Sequence, residues 1–64
     1  MTLFIETKTF RCPLTGRRLW RARPVAGCRE WLGDGIGENE REAVAACRLK
    51  YAAQGWKRFH VTNH

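Results

Sequence analysis

The stretch GDGIGENEREAVAAC, Gly33 to Cys47, decides how the rest of the chain is read. Its second half is a helix start. Asn39 can accept from the free amides of a first turn, and Glu42 three residues on completes a capping-box-like pair. Glu38, Glu40 and Glu42 complement the positive end of the helix dipole. The alanine-rich run from Glu40 to Gln54 is compatible with helix throughout, and Gly55 stands where a C′ glycine ends one. Val44, Cys47 and Tyr51 share one face with Ala43 beside them, so this face is expected on a sheet. Leu49 lies nearly opposite and is expected to be partly exposed or used in an oligomer contact.

The first half, Gly33, Gly35 and Gly37, raises the question of a phosphate cradle. The third glycine of G-x-G-x-x-G would fall on Glu38, and no acid follows Glu42 to hold a ribose. Acids also crowd the helix N-terminus, where a phosphate needs positive or neutral surroundings. The G-K-[ST] of a P-loop is missing as well. The glycines are therefore expected to form a flexible turn between strand and helix.

Outward from that stretch, the pattern is extended. Residues 2–12 mix β-branched and aromatic residues with partial alternation and predict a first strand. Residues 13–16, Pro-Leu-Thr-Gly, are a turn. Residues 17–25 alternate, with Trp20 and Ala22 on one face and Leu19, Arg21 and Arg23 on the other. Pro24 suits a strand end or an edge. A second turn at Ala26–Gly27 and a short third strand over residues 28–32 follow. After the helix, residues 56–62 place Lys57, Phe59 and Val61 on one side and Trp56, Arg58 and His60 on the other, as a fourth strand or extended tail. The order is β-β-β-α-β. This is a single α+β domain over residues 1–64, with a three- to four-stranded antiparallel sheet and one helix packed on one face.

Sixty-four residues carry a net charge of +6, unevenly spread. From Lys8 to Arg29 there are seven bases and no acid, five of them arginines between Arg17 and Arg29. An acidic belt from Glu30 to Glu42 follows, and Arg48, Lys50, Lys57 and Arg58 close the chain with no further acid. Arginine's planar fork suits phosphate and carboxylate, and a basic field of this kind favours polyanions. The competing reading is a merely solvated face.

A chain this short buries only about 60% of its unfolded surface, so a large buried active site is not expected and dimerisation would ease its stability. Cys12, Cys28 and Cys47 are an odd set without a C-x-x-C pair. Neither a signal peptide nor an apolar run long enough to span a membrane is present, so reduced thiols and a cytoplasmic location are expected. A zinc site from Cys12, Cys28, His60 and His64 lacks the usual closely spaced ligand pairs. No nucleophile, base and orienting group fall into a catalytic motif. No enzyme, cofactor or metal is expected.

With the elements placed, the run from Gly35 to Cys47 resembles the second half of a double-stranded-RNA-binding domain, which reads roughly G-x-G-x-[SN]-K-K-x-A-K-x-x-A-A. Gly35, Gly37, Asn39, Arg41, Ala43 and Ala46 fit. Glu40 and Val44 stand where that family grips phosphate with lysines, and its first helix has no room here. The resemblance implies a β-β-β-α fold without the RNA grip. Residues Trp20 to Cys28, then Gly35, Glu42 and Ala43, look like the partial fold of HicB-type antitoxins, which neutralise a small toxin RNase. The acidic residue usual before their turn is missing, as is the DNA-binding tail. The three-stranded arm-binding domains of phage integrases, whose basic sheet enters the DNA major groove, are a third look-alike.

The composition favours a small basic binding module contacting DNA or RNA through an arginine-rich hairpin and sheet face. Arg17, Arg18, Arg21, Arg23, Arg29, Trp31 and Arg58 are its candidate contacts, with Leu19 and His60 on the same face. The alternative is a phage- or mobile-element-type inhibitor or HicB-like antitoxin that acts on an acidic partner protein. Aromatic and arginine residues beside an acidic belt suit such contacts. Trp20 is expected in the core, whereas Trp31 and Trp56 suit core or contact equally.

Overall fold

A computed structural model describes residues 2–26 and 30–63. The elements run β1 (Thr2–Arg11), β2 (Arg18–Ala26), β3 (Gly35–Gly37), α1 (Glu40–Ala52) and β4 (Arg58–Asn63). They form one four-stranded sheet in the order β3-β2-β1-β4 with α1 on one face. This is the two-layer α+β domain the sequence implied. Its sheet is mixed: β1–β2 and β2–β3 are antiparallel, but β4 joins β1 in parallel, where the expected sheet was antiparallel throughout. The reason is the route of the chain. α1 carries it from β3 at one edge to the far side of β1, and a helical crossover of that kind delivers a parallel strand.

β1 alternates from its second residue. Leu3, Ile5 and Thr7 are buried towards the helix, and Phe4, Glu6, Lys8 and Phe10 take the other register. The hairpin closes with the Cys12 amide donating to the Arg17 carbonyl at 2.8 Å and the Gly16 amide to the Cys12 carbonyl at 2.8 Å. Gly16 supplies the positive φ of 72° that this turn requires. Pro24 lies within β2, opposite Ile5, rather than at its end. The register shifts between Phe4 and Ile5 there, and β3 pairs β2 only from Trp20 to Ala22, so the missing amide costs no ladder bond to β3. Ala26, expected in a turn, still pairs with Phe4, and Gly27 lies outside the described residues.

The third strand is not where the sequence suggested. Cys28 and Arg29 fall outside the described residues, and residues 30–32 are not in a strand. β3 is instead Gly35-Ile36-Gly37, inside the segment expected to be a flexible turn. The cause is the helix above it. A Cβ on Gly35 would sit 2.9 Å from the Cys47 Cα, and closer still to the Cys47 amide nitrogen and the Ala43 carbonyl oxygen. One on Gly37 would meet the Ala43 nitrogen and the Glu42 Cβ, both at 2.6 Å. Only residues without a side chain let backbone pack on backbone here. Ile36, between them, takes the opposite face beside Arg21.

The helix begins as expected. Asn39 Oδ1 accepts from the Glu42 amide at 2.9 Å, and Asn39 Nδ2 donates to Glu42 Oε2 at 2.7 Å. The buried Thr7 hydroxyl donates to Glu40 Oε2 at 2.7 Å and pins the first turn to β1. α1 ends at Ala52 with Ala53 as its cap, short of the expected Gln54. Amides of Gln54 and Gly55 close tighter turns onto Tyr51 and Ala52, and Gly55 takes a φ of 101°. Ala43, Cys47 and Tyr51 face the sheet and join Leu3, Ile5 and Ala22 in the core, while Val44 is half-buried against it. Trp20, Trp56 and Phe59 pack around that cluster. Each large aliphatic side chain buried here contributes about 1.5–3 kcal/mol. Leu49 is 77% exposed, on the face turned from the sheet.

Residues 30–34 are tied down from the helix. Tyr51 Oη accepts from the Leu32 amide at 2.8 Å and donates to the Gly33 carbonyl at 3.1 Å. Lys50 Nζ donates to the Asp34 carbonyl at 2.7 Å, and Gln54 Nε2 to the Glu30 carbonyl at 3.1 Å. No helix among the described residues is long and apolar enough to cross a membrane.

Candidate nucleic-acid interface

Strand pairing, rather than sequence proximity, assembles the candidate surface. Because α1 covers one face of the sheet, the outward residues of all four strands share the other. Lys8 lies opposite Arg21, Glu6 opposite Arg23 and Phe10 opposite Leu19. On the β4 side Phe4 lies opposite His60 and Thr2 opposite Arg58. Ile36 extends the row of Lys8 and Arg21 onto β3. No helix or strand among the described residues packs over this face, and Phe4 and Ile36 are 43% and 48% exposed.

Two arginines on this face are held by one carboxylate. Asp34, immediately before β3, accepts from Arg23 Nε and Nη2 at 3.3 Å, and Arg21 Nε lies 3.7 Å from the same oxygen. The Asp34 side chain is only 13% exposed, whereas those of Arg21 and Arg23 are 37% and 50% exposed. The carboxylate thus orients both guanidinium groups from below while leaving donors outward. Lys8 pairs with Glu6 at 3.6 Å. Aromatic rings interleave these charges. The Arg21 guanidinium lies 5.9 Å from the Phe10 ring centroid, and Phe4 meets His60 edge-on at 5.6 Å.

Of the candidate contacts, the fold brings Arg21, Arg23 and Arg58 together on this face, with Leu19 and His60. Arg17 stands apart at the hairpin tip, ion-paired with Glu38. Arg18 is in phase with Trp20 and Ala22, so it belongs to the helix-side register near that tip. Trp31 is 63% exposed but lies in the 30–34 segment, outside the strands. Arg29 lies outside the described residues. Trp56 joins Trp20 at the margin of the core, its Nε1 donating to Gln54 Oε1 at 3.2 Å. Sequence reasoning centred on arginines missed Phe4, Lys8, Phe10 and Ile36. For β1 the pattern was only partial, because Phe4 and Phe10 are apolar yet take the outward register with Glu6 and Lys8.

A second surface lies across the helix. α1 packs chiefly on β3 and β2, leaving an open groove between its outer side and β4 lined by Ala45, Arg48, Leu49, Ala52 and Phe59. The Arg48 guanidinium covers the Phe59 ring at 5.1 Å. Among the described residues no cluster of His, Cys, Asp and Glu is arranged to hold a metal ion.

No family model, no curated protein and no solved structure matches the chain.

Proposed function

We propose that this chain is a small, non-enzymatic binding module that contacts nucleic acid through the open face of its sheet. One observation carries the reading: Lys8, Arg21, Arg23 and Arg58 share an uncovered face with Phe4 and Phe10. Two of these cations, Arg21 and Arg23, are held beside Asp34 with donors left outward. Arg17, at the hairpin tip, can extend the field towards the rim. A cytoplasmic location with reduced thiols fits this reading. The β-β-β-α order is common to all three resemblances and favours none of them.

The test is the salt dependence of binding to short DNA and RNA. Four phosphate contacts predict a log–log slope of about −2.8 on a single strand and about −3.6 on duplex DNA. Weak binding that does not respond to salt would sink the proposal.

A second reading, a protein-binding inhibitor or antitoxin-like protein, draws on a different observation. Leu49 stands 77% exposed beside the groove between α1 and β4, and such a patch suits a protein contact, a second copy included. A partner retained after nuclease treatment of a lysate would favour it over the first.

A further inference from the structure

We infer that the open sheet face is a stacking platform for single-stranded nucleic acid, with Phe4 and Phe10 of β1 as its two steps; the inference rests on the nucleic-acid reading above. The two rings project from the same register of one strand, six residues apart. At about 3.3 Å per residue they are roughly 20 Å from one another, a span an extended single strand crosses in a few nucleotides. Each ring has a neighbour that suits a base. His60 packs against Phe4 at 5.6 Å and offers a polar rim, and the Arg21 guanidinium lies over the Phe10 ring at 5.9 Å, so a base at that step stacks on the guanidinium plane that the ring backs.

Charge completes the match to a polyanion. Lys8 and Arg21 sit side by side in the interval between the rings, and Arg58 lies on the neighbouring strand near the Phe4 end. Glu6, the one acid of β1, is 3.6 Å from Lys8, and Asp34 pairs with Arg21 and Arg23, so the four cations of the face outnumber its acids by two. The choice of single strand over duplex follows from what each presents. A duplex shows base edges and phosphates, with its base faces stacked away from any protein ring. A single strand shows the faces themselves, and phenylalanine has no hydrogen-bonding group with which to read an edge.

The experiment measures affinity of the full chain for a mixed-sequence 15-nucleotide single strand, as DNA and as RNA, and for the corresponding duplex, across a salt series. The expected result is tighter binding of the single strand at every salt concentration. Phe4→Ala and Phe10→Ala should each weaken single-strand binding about tenfold without changing its salt slope. Phe4→Tyr, which keeps the ring, should bind as the parent does. Circular dichroism verifies that each variant is folded, and Phe4→Trp adds a fluorescence signal that stacking quenches. Tighter duplex binding with a normal salt slope overturns the platform while leaving nucleic-acid binding in place. So do folded alanine variants with unchanged affinity. Absence of salt-dependent binding to any of these probes overturns both.

Discussion

Gly35 lies directly beneath Cys47, so close that a single methyl group would reach the Cys47 backbone at 2.9 Å or less. This relationship sets the distance between the two layers of the fold. Gly35→Ala must push α1 off β3 or break the pairing of Gly35 with Ala22. Overpacking of this kind costs about 1–3 kcal/mol or more. A domain of this length has a total stability of roughly 3–10 kcal/mol, so the variant should be severely weakened. Gly16 provides the contrast. A Cβ there meets nothing within 4 Å, and Gly16→Ala suffers only from its φ of 72°, about 1–2 kcal/mol. Urea denaturation of the two variants separates packing from backbone strain, and equal losses would refute the packing role of Gly35.

That pair of residues also shows where sequence reading stops. The β1–β2 hairpin and the helix are legible because their causes are local: alternation, a proline-glycine turn, and Asn39 three residues before Glu42. Arg21 and Arg23 could be placed together for the same reason, since they alternate on one strand. β3 has no such signature. Gly-Ile-Gly has low strand propensity, and it becomes a strand because the helix that starts three residues later demands bare backbone beneath it. Likewise, β4 is parallel because of the crossover, a property of the route and not of residues 58–63. The meeting of Phe4 with His60 depends on that parallel register, and no local pattern contains it.

Tyr51 anchors the segment leading into β3. Its buried hydroxyl bridges the Leu32 amide and the Gly33 carbonyl, so one side chain satisfies two backbone groups. Tyr51→Phe keeps the ring in the core and removes both bonds. The expected loss is about 1–2 kcal/mol. Amide exchange should accelerate at Leu32 before it changes in β1. If the Leu32 amide is as protected in the variant as in the parent, the anchor lies elsewhere.

Cys12 and Cys47 should differ sharply in reactivity. The Thr15 hydroxyl, then the Thr15 and Leu14 amides and the Arg17 charge, stabilise the Cys12 thiolate and hold its pKa below the ordinary thiol value. Cys47 is fully buried in the core. Alkylation of the native protein, followed by peptide mapping, should therefore modify Cys12 readily and Cys47 only on unfolding. The pH–rate midpoint for Cys12 should lie below that of a model thiol, about 8.5, and Thr15→Ala should move it upward. Since the folded pKa is the lower one, the contribution to stability is full above the unfolded value and fades as pH falls through the folded value. An unmoved midpoint in Thr15→Ala would assign the shift to the backbone and Arg17 alone.

Asp34 sets the charge that Arg21 and Arg23 present to a ligand. It accepts two hydrogen bonds from Arg23 and lies 3.7 Å from Arg21 Nε, so a phosphate arriving on the open face must share both cations with a carboxylate already beside them. Asp34→Asn preserves the size and one acceptor but removes the negative charge. If these arginines grip phosphate, affinity for an oligonucleotide at about 0.1 M salt should rise roughly two- to tenfold, the value of one or two partly exposed ion pairs. The log–log slope should steepen by up to about 1 as a further cation becomes available for counterion exchange. Glu38→Gln is the comparison: it frees Arg17 at the hairpin tip, at the Phe10 end of the hairpin, and should change affinity less if the phosphate contacts are Arg21 and Arg23. A rise in both variants would mean that removing either acid strengthens binding, with no preference for Arg21 and Arg23 over Arg17. A rise confined to Asp34→Asn would locate the phosphate contacts at Arg21 and Arg23. No change in either would mean that these arginines face solvent and that any nucleic acid is bound elsewhere.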